Sequence, residues 1–200
     1  MDQPLRAHTF NEARYYLMVC SCRACGKGPW IIDQADTPKE PRKITTVTAH
    51  CSFCHAAKDF SFTCAHIPPE DQDQCINPTD SPSQIIDLGQ WLSLHALMMD
   101  EAASADSPHA AHRSAYQARL CLAEALKFYG DDELPDKSAF FSHTSDLAFH
   151  KHPESFARQK LRDMLATLPA MHRTQPTDHK EPPAEGHKWW QFWTRRRARD

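Results

Sequence analysis

The chain reads as an α+β protein in which a small antiparallel sheet is followed by an all-helical part built on a central helical hairpin. Up to residue 66, apolar residues alternate with polar ones or gather in short β-branched and aromatic runs bounded by Gly, Pro and paired cysteines. After residue 82 they recur at three- and four-residue spacings over stretches long enough for helices. A polar, proline-rich run over 67–82 separates the two patterns.

Residues 14–20 (RYYLMVC) are aromatic and apolar over a short span and predict a first strand. Gly28 and Pro29 break the chain, residues 30–32 (WII) predict a second strand, and the charged, proline-containing run 33–43 a connecting loop. Residues 44–50 are rich in β-branched side chains, and residues 58–64 alternate Phe60 and Phe62 with polar neighbours, as half-buried strands do. In the second half, Ser81-Pro82-Ser83-Gln84 carries a capping-box spacing and predicts a helix start. Ile85, Leu88, Trp91, Leu92, His95, Met98 and Met99 then form one apolar stripe. Ser107-Pro108 opens a second helix faced by Ala111, Ala115, Ala118, Leu122 and Ala125, with Gly130 placed to cap it. Small residues on that face let two helices approach closely, hence the hairpin. Phe140, Phe141, Leu147 and Phe149 are expected to plug the hairpin from a short helical stretch, and Pro153 to open a last helix that ends at Pro169. Residues 170–188 are too polar to offset the entropy of ordering and are expected to form a linker to a tail, 189–200. The expected division is therefore 1–66, 67–82, 83–169, 170–188 and 189–200.

The residues that carry chemistry are Cys22-x-x-Cys25 and Cys51-x-x-Cys54, separated by 25 intervening residues. Two short pairs this far apart match the spacing by which four thiolates close a tetrahedral zinc site, each pair supplying two ligands from a tight turn. Alternating with short strands over residues 14–64, the two pairs resemble the knuckles of the zinc ribbon family. The resemblance implies one structural Zn2+ held by Cys22, Cys25, Cys51 and Cys54. Gly26 follows the second cysteine of the first pair, where such a turn wants positive φ, and His55 holds the equivalent place in the second. Cys20, His55, Cys64, His66 and Cys75 are further candidate ligands, at spacings that repeat no ligand pair. A site saturated by four thiolates leaves no coordination position for catalysis.

Charge narrows the partners. Among 23 basic and 26 acidic residues, residues 1–66 carry 8 Lys/Arg against 6 Asp/Glu, 67–168 carry 8 against 16, and 169–200 carry 7 against 4. An acidic middle is not the clustered basic footprint of a nucleic-acid-binding body. The polar N-terminus lacks the apolar core of a signal peptide, and no run of about 18 apolar residues is present, so a soluble protein of the reducing cytoplasm is expected.

Three functions compete on these residues. The first is non-enzymatic: a zinc-stabilised adaptor that presents Arg23, Lys27, Phe53 and Lys58 to an unidentified protein partner. The second is weak nucleic-acid binding through the same basic and aromatic side chains. The third is an enzyme using His143, His150 and His152 with Asp146, although no nucleophile or carboxylate pair accompanies them at a defined spacing. Separately, Trp189, Trp190 and Trp193 followed by Arg195, Arg196 and Arg197 form an aromatic and basic end suited to a membrane surface or to docking on a partner.

Overall fold

The computed structural model of the protein describes residues 3–36, 40–66 and 75–169. It is α+β: a four-stranded sheet and one helix, followed by helices alone. Strands β2 (Trp30–Ala35), β3 (Ile44–Cys51) and β4 (Ala57–Cys64) form an antiparallel meander. The three-residue strand β1 (Leu5–Ala7) pairs with β4 in parallel, giving the order β1-β4-β3-β2. The sheet is thus mixed rather than wholly antiparallel, because β1 leads into a helix and no hairpin turn imposes an antiparallel partner on it.

That helix, α1 (Phe10–Val19), replaces the strand expected over 14–20. The deciding residues lie upstream of the YYLMV run. Thr9 is an N-cap whose hydroxyl accepts the Glu12 N–H, and Phe10, Ala13 and Leu17 then bury one helical face. This face covers the inner side of the sheet, where Val47, Ala49, Phe60 and Phe62 are buried in strict alternation with more exposed neighbours. Tyr16 meets Phe60 and Phe62 edge-on at 6.5 and 6.0 Å, and Trp30 meets Phe60 at 5.0 Å.

The helical part begins later than expected. Ser83 Oγ accepts the N–H groups of Ile85 and Ile86, closing a separate turn, and α2 (Leu88–Ala103) starts only after Asp87. Asp87 and Gln90 form a reciprocal capping box. Helix α3 (Pro108–Leu126) starts where the sequence places it, under the Ser107 cap with Pro108 in its first turn. Gly130 does not cap it in a left-handed conformation. Instead the last turn tightens: the N–H groups of Lys127, Phe128 and Tyr129 reach carbonyls three residues back. Helices α2 and α3 pack as the expected hairpin, with Ala118, Cys121 and Ala125 fully buried and Trp91, Leu94, Met98 and Leu122 filling the interface. His95 Nδ1 donates to the Ala118 carbonyl at 3.1 Å, and burial lowers its pKa, so a neutral imidazole ties the two helices.

Two short helices complete this part. Asp87 accepts the Ser142 N–H (2.8 Å) and the Ser145 hydroxyl (2.7 Å), so the residue that caps α2 also holds the start of α4 (His143–Lys151). Gly89 makes the approach possible, since a Cβ there would lie 2.6 Å from Ser145 Cβ. Phe140, Phe149 and Phe156 cluster with ring centroids 4.5 to 5.6 Å apart, whereas Phe141 and Leu147, expected to be plugs, stay exposed. Pro153 opens a single 3-10 turn (Pro153–Phe156) rather than the last helix. Helix α5 (Arg158–Thr167) follows with no capping side chain of its own. Its first N–H groups go to the Glu133 carbonyl (2.8 Å) and Glu133 Oε1 (2.9 Å), and its last carbonyls, Leu165 and Leu168, accept from Arg119.

The sheet and helices belong to one compact unit, residues 1–170. Residues 75–87 form a strap between them. Thr9 donates through its hydroxyl to the Ile76 carbonyl, Asn11 Nδ2 to the Cys75 carbonyl (3.2 Å), and Lys127 Nζ to the Asn77 carbonyl (2.9 Å). Tyr15 of α1 meets Trp91 of α2 at 5.8 Å. The tail residues Trp189, Trp190, Trp193, Arg195, Arg196 and Arg197 lie outside the described residues, as does the linker 170–188.

Candidate metal centre

The two cysteine pairs sit in two turns of the same construction. In the first, the Cys22 N–H donates to the Lys27 carbonyl (2.6 Å) and the Gly26 N–H to the Cys22 carbonyl (2.7 Å). In the second, the Cys51 N–H donates to the Ala56 carbonyl (3.0 Å) and the His55 N–H to the Cys51 carbonyl (3.0 Å). Each turn closes through a residue of positive φ, Gly26 at 71° and His55 at 59°. Histidine tolerates that conformation better than most side chains, which is why the second turn forms without glycine. The Ser52 N–H donates to the Pro29 carbonyl (2.9 Å) and joins the two turns.

This backbone brings all four sulfur atoms within 4.8 Å of one another. Sγ of Cys22 lies 3.7 Å from that of Cys54, and Sγ of Cys25 lies 3.7 Å from that of Cys51. A tetrahedron with Zn–S bonds of about 2.3 Å has S···S edges of about 3.8 Å; the Cys22–Cys54 and Cys25–Cys51 edges match that length, and no edge exceeds 4.8 Å. The four cysteines are positioned to bind a metal ion, and the donor set is all sulfur.

The thiols do not behave alike. Burial works against the Cys51 thiolate, but the backbone N–H groups of Cys54 and Phe53 and the neighbouring thiols offset it and bring its pKa down to about 7. For Cys54 the Ala56 N–H favours the thiolate, yet desolvation and the thiols of Cys25, Cys22 and Cys51 prevail and push it up to about 12. Four thiols this close cannot all ionise without a cation among them, which is the electrostatic condition that a bound dication relieves.

The other candidates are dispersed. Among the described residues, the four cysteines are the one group of three or more Cys, His, Asp or Glu whose ligand atoms converge. Cys20 donates to the Tyr16 hydroxyl (3.3 Å), Cys64 is buried on the inner side of β4, Cys75 belongs to the strap, and His66 is exposed. His55 stacks on His50, whose Nδ1 lies 2.7 Å from Asp33 Oδ1. That Asp33–His50–His55 group flanks the second turn; His55 already stood out in the sequence as a candidate ligand, but the part of Asp33 had no signal there, because strand pairing rather than spacing brings it to His50. His143, His150 and His152 are exposed; His150 Nδ1 lies 2.8 Å from the Asp146 carbonyl and His152 Nδ1 lies 3.4 Å from Glu154 Oε1. These are helix-surface pairings, with no converging nucleophile.

Around the cage, Arg23 and Lys27 are exposed and Lys58 is half-buried. Lys27 Nζ stands 3.5 Å from the Phe53 ring centroid, and Lys58 Nζ 4.5 Å from that of Phe60. Phe53, between Cys51 and Cys54, keeps 50% of its surface exposed. No protein-family model, curated protein or solved structure matches the chain. No helix among the described residues is long and apolar enough to cross a membrane.

Proposed function

We propose that Cys22, Cys25, Cys51 and Cys54 hold one structural Zn2+ and that the protein is a non-enzymatic interaction module whose contact surface is the second knuckle. The observation that carries this reading is the all-sulfur cage, with two S···S separations of 3.7 Å and all four sulfur atoms within 4.8 Å of one another. Such a cage leaves the ion no open position, so its contribution is to rigidity. What it makes rigid is Phe53, an aromatic ring kept half out of water on a turn that the metal pins at both ends. Large, preorganised aromatic anchors are typical of interface centres, since they bury much area at little entropic cost.

The charges around the cage support a protein partner. Four thiolates on a dication carry a net charge of −2, which offsets two of the three positive charges of Arg23, Lys27 and Lys58. Little positive charge then remains for phosphates, which speaks against nucleic acid as the partner.

The test is native mass spectrometry with elemental analysis on protein purified from its own cell. One zinc per chain is expected, together with a retained partner that Phe53→Ala releases. A protein that holds no metal and keeps its fold in chelator overturns the metal reading, and a coloured iron–thiolate centre overturns zinc in particular.

A further inference from the structure

The junction between α1 and α3 contains charge that neither the fold nor the metal centre requires. Glu12, on the inner face of α1, is fully buried, and Glu124, on α3, is 5% exposed. Each uses one carboxyl oxygen: Glu12 Oε2 accepts the His8 N–H, and Glu124 Oε1 accepts from Lys127 Nζ at 2.8 Å. The second oxygen of each, Glu12 Oε1 and Glu124 Oε2, is buried with no donor in full hydrogen-bond geometry, and only the uncharged side chains of Ser83 beside Glu12 and Asn77 beside Glu124 partly favour the ionised forms. Both carboxyls feel the Lys127 ammonium, and Glu124 is also pushed up by the charge of Glu12. The other groups facing them are His8 and Ser83 around Glu12, Cys64 on β4, and Asn77, Cys75 and Cys121 around Glu124. None of these, His8 apart, can supply a second positive charge. Lys127 also holds the strap, through the Asn77 carbonyl.

We propose that this junction is a pH-sensitive latch: with Glu124 protonated, Lys127 clamps the strap 75–87 between α1 and α3, and ionisation of the second buried carboxyl loosens the clamp. The physical reason is that one ammonium compensates one carboxylate. A second ionised carboxyl in the same dry interior leaves an uncompensated charge, which a local opening to water relieves.

The direction follows from burial. Desolvation is the largest influence on both groups and raises both pKa values, that of Glu124 to about 7, against an ordinary value of 4.5. Between those values the folded junction binds more protons than the opened one. The stabilisation is therefore full at the acidic end of this window and is lost as pH rises through it. Metal ligation has the opposite slope, because protons compete with the ion for the thiolates. Global unfolding would blend the two effects, so a local measurement is required.

The experiment uses the full, zinc-loaded chain. Carboxyl carbon NMR should find one glutamate titrating near neutrality and lost in Glu124→Gln. Amide hydrogen exchange at Ile76 and Asn77, corrected for intrinsic base catalysis, should report an opening constant that rises at least roughly tenfold between about pH 5.5 and 8. In Glu124→Gln that rise should shrink to less than about twofold, and in His8→Gln it should persist. If Glu124→Gln does not fold, the wild-type carboxyl titration decides. Two results would overturn the latch: both buried carboxyls titrating below about pH 5, or a pH dependence that His8→Gln removes and Glu124→Gln leaves in place.

Discussion

At the knuckle end of the sheet, the interior consists of four sulfur atoms and a few turns of backbone. Between α2 and α3 it consists of Trp91, Leu94, Met98, Leu122 and a face of alanines. A turn of four residues has almost no apolar surface to bury, so it must be closed by a few strong bonds of fixed geometry. Two helices of 16 and 19 residues have ample apolar surface and rely on many weak contacts. With the proposed Zn2+ in the cage, the first kind of order would be lost all at once when the ion leaves, whereas the second erodes by degrees with each side chain removed.

Stripping the metal is the sharpest way to break this contrast. In small modules a structural zinc contributes an apparent ~10–16 kcal/mol at neutral pH, so chelation or Cys51→Ser should abolish amide protection in β2 and β3. The helical signal of α2 and α3 should survive, as circular dichroism and hydrogen exchange on one sample would show. Simultaneous loss of both regions would mean that α1 and the strap couple them fully. Trp91→Ala comes next. Removing a fully buried indole should cost about 3–5 kcal/mol by denaturant titration and leave metal content unchanged. A smaller effect follows from Gly89→Ala, whose methyl meets Ser145; crowding of α4 should cost roughly 1–3 kcal/mol. Smallest is Phe53→Ala. A half-exposed ring should change stability by less than about 0.5 kcal/mol, so any large loss of partner binding would belong to the surface and not to the fold.

The sequence disclosed these two regions unequally. The grouping of the four cysteines and the φ > 0 turn positions at Gly26 and His55 were legible, since sulfur pairs and tight turns are local patterns. So were the Ser107–Pro108 start of α3 and the hairpin itself. Helix α1 was not, because its signal begins at Thr9, ahead of the run that looks like a strand. The parallel pairing of β1 with β4 was illegible for a different reason: it joins residues 5–7 to 62–64, and no periodicity reports so distant a neighbour. The start of α2 was misplaced because Ser83 and Asp87 both have capping chemistry, and packing of Asp87 against Ser142 and Ser145 decided between them. Glu12 and Glu124 were ordinary polar positions until the fold enclosed them.

Helix α5 shows what borrowed ends entail. Its start is held by Glu133 and its finish by Arg119, residues 25 and more positions earlier in the chain, so as an isolated segment it keeps only weak end contacts such as the Thr167 hydroxyl on the Met164 carbonyl and should fray. It is therefore expected to form late in folding, after α3 is in place to receive it, and to be among the first helices to detach. A chain shortened to residue 157 would leave the Arg119 guanidinium facing water and the remaining helices intact, whereas residues 158–169 supplied as a separate peptide would stay a coil until they met them.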